Sequence, residues 1–145
     1  MRTRRNRKAF SIVEVMAALI IIGLLSAIVA TNFLGQTDKA RQQQTIANLR
    51  VLHMAVSQFK MDTGRFPTAD EGLLVLVEEP VDVEGWNPGG YLQTSELPMD
   101  GWGNEFFYQE YPEDGKPFAI ISFGADSEPD GEGYDEDLYS TRVYR

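Results

Sequence analysis

The sequence predicts an α+β fold: one long N-terminal helix, apolar on every side in its first half, whose second half packs on a small antiparallel sheet next to an acidic loop. Three observations predict it. No residue from Val15 to Leu34 is charged, and five Lys/Arg lie directly upstream within residues 2–8. A helical apolar stripe then continues to Phe59. Further on, short β-prone runs flank a twelve-residue segment, 126–137, with seven carboxylates.

A length of 145 residues suits one modest domain and disfavours a two-domain enzyme. With no Cys and one His, the chain can form no disulfide and no Cys-ligated metal site. Nucleophilic triads and histidine metal clusters have almost nothing to draw on, so an enzyme is not expected and His53 reads as a partly packed surface residue. The formal charge is −9, but residues beyond Phe10 carry eight cations against 22 acids, or −14. A basic cluster confined to the extreme N-terminus of an acidic chain argues against nucleic acid as a partner.

As a helix, Val15–Leu34 spans about 30 Å, the thickness of a bilayer's hydrocarbon core. The basic flank predicts a cytoplasmic N-terminus and an exported remainder, with membrane lipid as a partner. A soluble core helix fits poorly, because the run is apolar all round. A secretory signal peptide is the harder competitor, with Ser26, Ala27 and Ala30 as small residues near its end. The run is longer than a signal core, however, and Glu14 sits in its flank. A carboxylate in lipid costs a few kcal/mol and normally has a partner, yet no Lys or Arg follows before Lys39. The alternative for Glu14 is a neutral acid snorkelling to the headgroups.

Lys8-Ala9-Phe10-Ser11-Ile12-Val13-Glu14, followed by the apolar run, resembles the type III signal of type IV pilins and type II secretion pseudopilins. The resemblance implies cleavage by a prepilin peptidase between Ala9 and Phe10, N-methylation of Phe10, and Glu14 as an assembly carboxylate paired with the N-terminal amine of a neighbouring subunit. A buried acid is tolerable when another subunit supplies the cation, which makes Glu14 a register device. Ala9 stands where the family usually has Gly. Thr31 replaces a frequent helix-bending Pro, which predicts less kink there, and Gly23 matches the family's small mid-span residue.

Ile46, Leu49, Leu52, Val56 and Phe59 form one apolar stripe, so a single helix of about 80 Å should run from Phe10 to Thr63, with Gly64 as its stop. Thr68 and Glu71 form a capping box, which predicts a short helix over residues 69–78 before Pro80. Residues 80–99, rich in Pro, Gly and acids, read as an irregular loop. Trp102, flanked by Gly101 and Gly103, reads as a packing residue. Glu105–Tyr111 and Pro117–Phe123 are strands joined by a short Asp-Gly hairpin loop, and Leu138–Tyr144 is a third strand.

Crowded carboxylates in residues 126–137 repel one another, and an oxygen-loving cation relieves that repulsion. No nitrogen or sulfur ligand is near. A flexible loop suits calcium better than magnesium, while strands on both sides disfavour an EF-hand despite its partly matching spacing. A solvated acidic turn without an ion is the alternative. The FPT segment at Phe66, the Leu97–Asn104 segment and the acidic loop resemble the major pseudopilins of type II secretion, with Gly101 where Pro is usual. That resemblance implies a calcium site drawing on Asp126, Glu136, Asp137 and the Phe123 carbonyl. Two glycines of the family's loop are replaced here.

The sequence reads, then, as a type IV pilin-like structural subunit. Residues 1–9 are a leader, 10–34 the transmembrane and assembly half of the helix, and 35–145 a periplasmic head. It is expected to be a single-pass inner-membrane protein that polymerises with itself, with minor pseudopilins and with an inner-membrane assembly platform into a periplasmic pseudopilus that drives protein export. A type IV pilin or minor pseudopilin is the nearest alternative, disfavoured by the lack of a C-terminal disulfide. A membrane-anchored periplasmic calcium-binding module is the alternative of another class.

Overall fold

The structure is a computed structural model that describes residues 11–112 and 115–142, with the backbone alone for residues 26–36. Helix α1 runs Ile12–Thr63, 52 residues. The chain divides into two compact units, Met1–Thr37 and Asp38–Arg145.

In the second unit, α1 buries the predicted stripe. Leu49, Leu52, Val56 and Phe59 are fully buried, with Ala55 beside them. Steps of three and four place these side chains on one face, where they meet Leu76, Tyr108, Phe118 and Ile120. Ile46, at the edge of the stripe, is half-buried. The helix ends as expected: the Gly64 N–H donates to the Lys60 carbonyl at 2.8 Å, and the Thr63 hydroxyl donates to the Phe59 carbonyl.

The expected helix over 69–78 does not form. The capping box is present, with Thr68 N–H donating to Glu71 Oε2 at 2.9 Å and Glu71 N–H to Thr68 Oγ1 at 3.4 Å. Gly72, however, takes φ +57, a left-handed conformation that ends the turn after one residue more. Only a single 3-10 turn follows, Leu74–Leu76, which buries Val75 and Leu76.

Glu71 is tied down from the other side. Arg65 grips it with both guanidinium nitrogens, each 2.6 Å from a carboxylate oxygen. This fork, helped by the Thr68 donors, holds the Glu71 carboxyl down to about 2. Because the folded value lies below the ordinary value of 4.5, the stabilisation is complete above about pH 4.5 and is lost as pH falls toward 2. Both side chains are partly exposed, so solvent screening limits the contribution to about 1 kcal/mol. Glu71→Gln should therefore lower the melting temperature by a few degrees at pH 7 and by nothing near pH 2, in pH-dependent thermal melts followed by tryptophan fluorescence.

Residues 80–99 are irregular, as predicted, yet packed. The Trp86 indole N–H donates to the Val75 carbonyl at 2.8 Å, and Tyr91 meets Phe59 edge-on with ring centroids 5.5 Å apart. Asn48 Nδ2 donates to the Met99 carbonyl, fastening the end of this segment to α1.

Three antiparallel strands follow: β1 (Phe107–Glu110), β2 (Phe118–Ser122) and β3 (Leu138–Tyr139), in the order β1-β2-β3. Phe107 pairs with Ile121, Glu110 with Phe118, and Ser122 with Leu138. Central β2 is buried at every position. It starts one residue after Pro117, which has no N–H for the ladder. Strand β3 is far shorter than the predicted Leu138–Tyr144. After the Ser140 N–H donates to the Ile120 carbonyl, Arg142 N–H bonds back to Tyr139, and this turn ends the strand. The tip of the predicted hairpin (113–114) and residues 143–145 lie outside the described residues.

His53 is half-buried, as expected. Its ring lies against Phe118, with centroids 4.7 Å apart, and Nδ1 is 3.3 Å from Ser140 Oγ. Burial lowers its pKa.

Candidate functional site

Two regions carry the expected function: the start of α1 and the loop between β2 and β3. Glu14 occupies the first turn of α1, where its N–H donates to the Ser11 carbonyl at 3.0 Å and a carboxylate complements the helix dipole. Its side chain is exposed, and large apolar residues surround it along the helix. Those from Ile12 to Leu25 are each 47–77% exposed. Leu49, Leu52, Val56 and Phe59, on the same helix, are by contrast fully buried. Among the described residues, no helix is long and apolar enough to cross a membrane. The expected span, 15–34, passes through 26–36, whose side chains (Thr31 among them) lie outside the description. The leader 1–9, and with it the expected cleavage point between Ala9 and Phe10, also lies outside the described residues.

The acidic loop is folded back on itself. Ala125 N–H donates to the Tyr134 carbonyl at 2.9 Å, and Asp135 N–H to the Glu132 carbonyl. Gly124 and Gly131 both lie against the Asp135 main chain; an added Cβ would stand 2.7 and 2.5 Å from the Asp135 carbonyl oxygen. Only glycine fits where two main chains approach so closely. Ser127 and Asp130 take φ +61 and +75. The loop therefore keeps left-handed turns at two non-glycine positions, at about 1 kcal/mol each.

The expected ligand residues differ in their surroundings. Asp126 is exposed, and its Oδ1 accepts the Glu128 N–H at 3.0 Å. Glu136 is exposed too. Asp137 is half-buried: Oδ2 accepts the Asp130 N–H at 3.2 Å and the Tyr139 hydroxyl at 3.3 Å, while Oδ1 is buried with no hydrogen-bond partner. Burial, reinforced by Asp137, raises the Tyr139 phenol, so it stays a donor. Phe123 points its ring at Phe107, with centroids 5.9 Å apart, which leaves its carbonyl as its only candidate ligand atom. Among the described residues, no three His, Asp or Glu side chains gather where they could hold a metal. The fold joins the two ends of the loop through its main chain, and the carboxylates stand apart.

One residue escaped the sequence reading. Asp100, 3% exposed, accepts from the Trp102 N–H at 2.9 Å, the Asn104 N–H at 2.8 Å and the Ser122 hydroxyl at 2.8 Å. Asn104 Nδ2 in turn donates to the Gly124 carbonyl at 3.2 Å, so this carboxylate clamps the base of the acidic loop. The Asp-Gly pair at 100–101 signals the turn in the sequence; the partner on β2 is a long-range contact that no local pattern encodes. Gly101, standing where the related family usually has Pro, donates its N–H to Thr45 Oγ1 at 2.8 Å, a bond proline cannot make.

A long N-terminal helix with an exposed apolar start and a single early carboxylate, packed further on against a small antiparallel sheet, defines the type IV pilin-like class. The sequence profile described as type II secretion system (T2SS), protein G, matches residues 32–141, and that of the prokaryotic N-terminal methylation motif matches residues 4–30. The chain is 35% identical over 140 residues to the type II secretion system core protein G of Vibrio cholerae, covering 95% of this chain and 94% of that protein. It is 33% identical to the core protein G of Escherichia coli K12, covering 95% and 93%. The crystal structure of the major pseudopilin from the type 2 secretion system of enterohaemorrhagic E. coli is similar with a TM-score of 0.63 at 26% identity, over 79% of this chain and 96% of that one. The chain belongs to the type II secretion system protein G family. Membership makes it a structural pseudopilin subunit of the secretion apparatus and not an enzyme.

Proposed function

We propose that this chain is the repeating subunit of a type II secretion pseudopilus, held in the inner membrane by residues 10–34 until it is drawn into the filament. The carrying observation is the exposure of every large apolar side chain from Ile12 to Leu25 around one early acid, Glu14. A helix this apolar must be covered by lipid or by other helices, and a carboxylate among them needs a cation. Removal of the leader 1–9 by a prepilin peptidase, between Ala9 and Phe10, frees an amine that meets the need in a neighbouring copy. The head, residues 35–145, stands in the periplasm, and growth of the filament, together with minor pseudopilins and an inner-membrane assembly platform, pushes exported proteins outward.

We further propose that the head takes calcium in its acidic loop. One observation supports this: Asp137 Oδ1 is a buried carboxylate oxygen without a donor, an arrangement that costs about 1–3 kcal/mol and that a cation would relieve. Asp126, Glu136 and the Phe123 carbonyl are the remaining oxygens at the two ends of the loop, and only oxygen donors are present. When bound, the ion would supply charge neutralisation and a tie between the loop and the sheet edge.

Mass spectrometry of the mature N-terminus tests the main reading. It should show methylated Phe10 as the first residue; an intact Met1, or a cut near Ala30, would overturn it.

A further inference from the structure

Away from its buried stripe, the part of α1 in the second unit shows solvent another one. Ala47, Val51, Met54, Gln58 and Met61 recur at steps of four and three, so they share one face, and all five are exposed. None of them is charged. Val51, Met54 and Met61 are 51%, 64% and 71% exposed. Beside this face lies a groove of about 540 Å³ whose other wall is the irregular segment at Tyr91, Leu92 and Pro98. That wall is fixed in place. The Tyr91 N–H donates to the Leu76 carbonyl at 2.8 Å, Leu92 packs against the core, and Asn48 Nδ2 donates to the Met99 carbonyl at 2.8 Å. Among the described residues, no side chain that lines the groove is charged. Asp62, one helical turn beyond Gln58, accepts from Gln58 Nε2 at 3.0 Å.

A neutral, largely apolar groove stands out in a chain that carries −14 beyond Phe10, and contiguous exposed apolar surface of this kind marks a contact. Its neutrality narrows the partner. Like-charged copies repel, and they approach best where neither shows charge. An anionic bilayer surface repels so acidic a chain instead. The chain also carries a fitting occupant. Residues 15–25 are helical and uncharged, and their large apolar side chains are each 47–64% exposed. At the standard rise this segment is about 16 Å long, and the face from Ala47 to Met61 about 22 Å, so the one fits along the other. Once drawn from the membrane, the segment loses its lipid and needs apolar cover.

We propose that the groove receives residues 15–25 of a second copy of this chain, an apolar helix lying along Val51 and Met54 with Tyr91 and Leu92 as its far wall. The inference rests on the filament reading above and adds to it the surface that takes the place of lipid around the extracted helix. Groove and occupant share no residue, so the contact is heterologous: each copy offers its groove to one neighbour and its helix to another. Such contacts propagate an open filament instead of closing a dimer. They also let copies of the same net charge meet without bringing acids together.

A photoreactive benzophenone side chain in place of Met54, and in a second variant in place of Gln93 on the opposite wall, reports what fills the groove. Irradiated filaments sheared from cells should give a ladder of cross-linked species, and mass spectrometry should place the cross-linked partner within residues 15–25 of another copy. A partner in another copy's head, in lipid or in an exported protein would overturn the docking while the filament reading stood, and so would filaments that cross-link at neither site. Separately, Met54→Glu in the full chain should lower filament yield at least about tenfold at unchanged membrane level and unchanged melting temperature, since Met54 is 64% exposed in the single chain. Val81→Glu adds the same charge to a side chain 87% exposed and outside the groove, and should keep the yield. Equal losses from both variants, or wild-type yield from Met54→Glu, would overturn the docking. If the unaltered chain forms no filaments under any condition, both readings fall. The charge variants add little bulk, so they decide the matter even if neither photoreactive chain assembles.

Discussion

Glu14→Ala should leave the chain in the membrane and remove its filaments. The apolar run keeps its length and its basic flank, so insertion is unaffected or slightly favoured by loss of a costly carboxylate. Assembly suffers in the opposite sense. In the filament, the amine of each processed neighbour would be buried among apolar helices with no counter-charge, and leaving one member of a buried pair alone costs about 3–5 kcal/mol per contact. Such a cost at every subunit lowers filament yield by more than about a hundredfold, since each 1.4 kcal/mol is a factor of ten. Glu14→Gln, equal in shape but uncharged, should fail nearly as badly, while Glu14→Asp, shorter with its charge kept, should recover part of the yield. Immunoblots of sheared filaments against total membrane protein separate the two effects. Normal filament yield from Glu14→Ala would show that the carboxylate sets no register.

What the sequence made legible follows periodicity. The spacing of Leu49, Leu52, Val56 and Phe59 is a property of the helix itself, and the structure buries all four. The strands around Tyr108 and Ile120 were legible for the same reason, since alternating or continuous apolar runs mark buried strands. Misreadings fell where one residue's backbone state decides the outcome. A capping box at Thr68–Glu71 announces a helix start, but Gly72 at positive φ stops it at once, and no periodic signal distinguishes a stopping glycine from a tolerated one. Strand β3 was overestimated because its residues suit a strand, while the turn that ends it depends on a bond from Arg142 to Tyr139. In the acidic loop, composition spoke for a cation, but only the fold distinguishes Asp137, with one oxygen buried and unpartnered, from exposed Asp126 and Glu136. The tie from Asp100 to β2 was hidden, because its hydrogen bond to Ser122 spans 22 residues of sequence.

Calcium withdrawal should be the largest effect on the head. A ligand that binds only the folded state stabilises it by about 2.7 kcal/mol at a hundred times its dissociation constant. For a unit of this size that corresponds to roughly 10 °C in melting temperature. Both tryptophans, Trp86 and Trp102, lie in the second unit, so fluorescence melts of the detergent-solubilised chain report on that unit alone. Chelation should lower the melting temperature by that amount, and magnesium, which demands six oxygens in near-ideal octahedral geometry, should restore little of it. Asp137→Ala in calcium should melt near the chelated wild type and give no further response to chelator. The substitution also removes acceptors for Asp130 N–H and the Tyr139 hydroxyl, so a lower melting temperature alone does not identify the ion. Tyr139→Phe separates the causes: it loses the hydroxyl bond and leaves the carboxylate in place, so it should melt somewhat lower than wild type but keep the full calcium response. A calcium response that survives in Asp137→Ala would move the ion away from this carboxylate and leave its buried oxygen as an uncompensated cost of the fold.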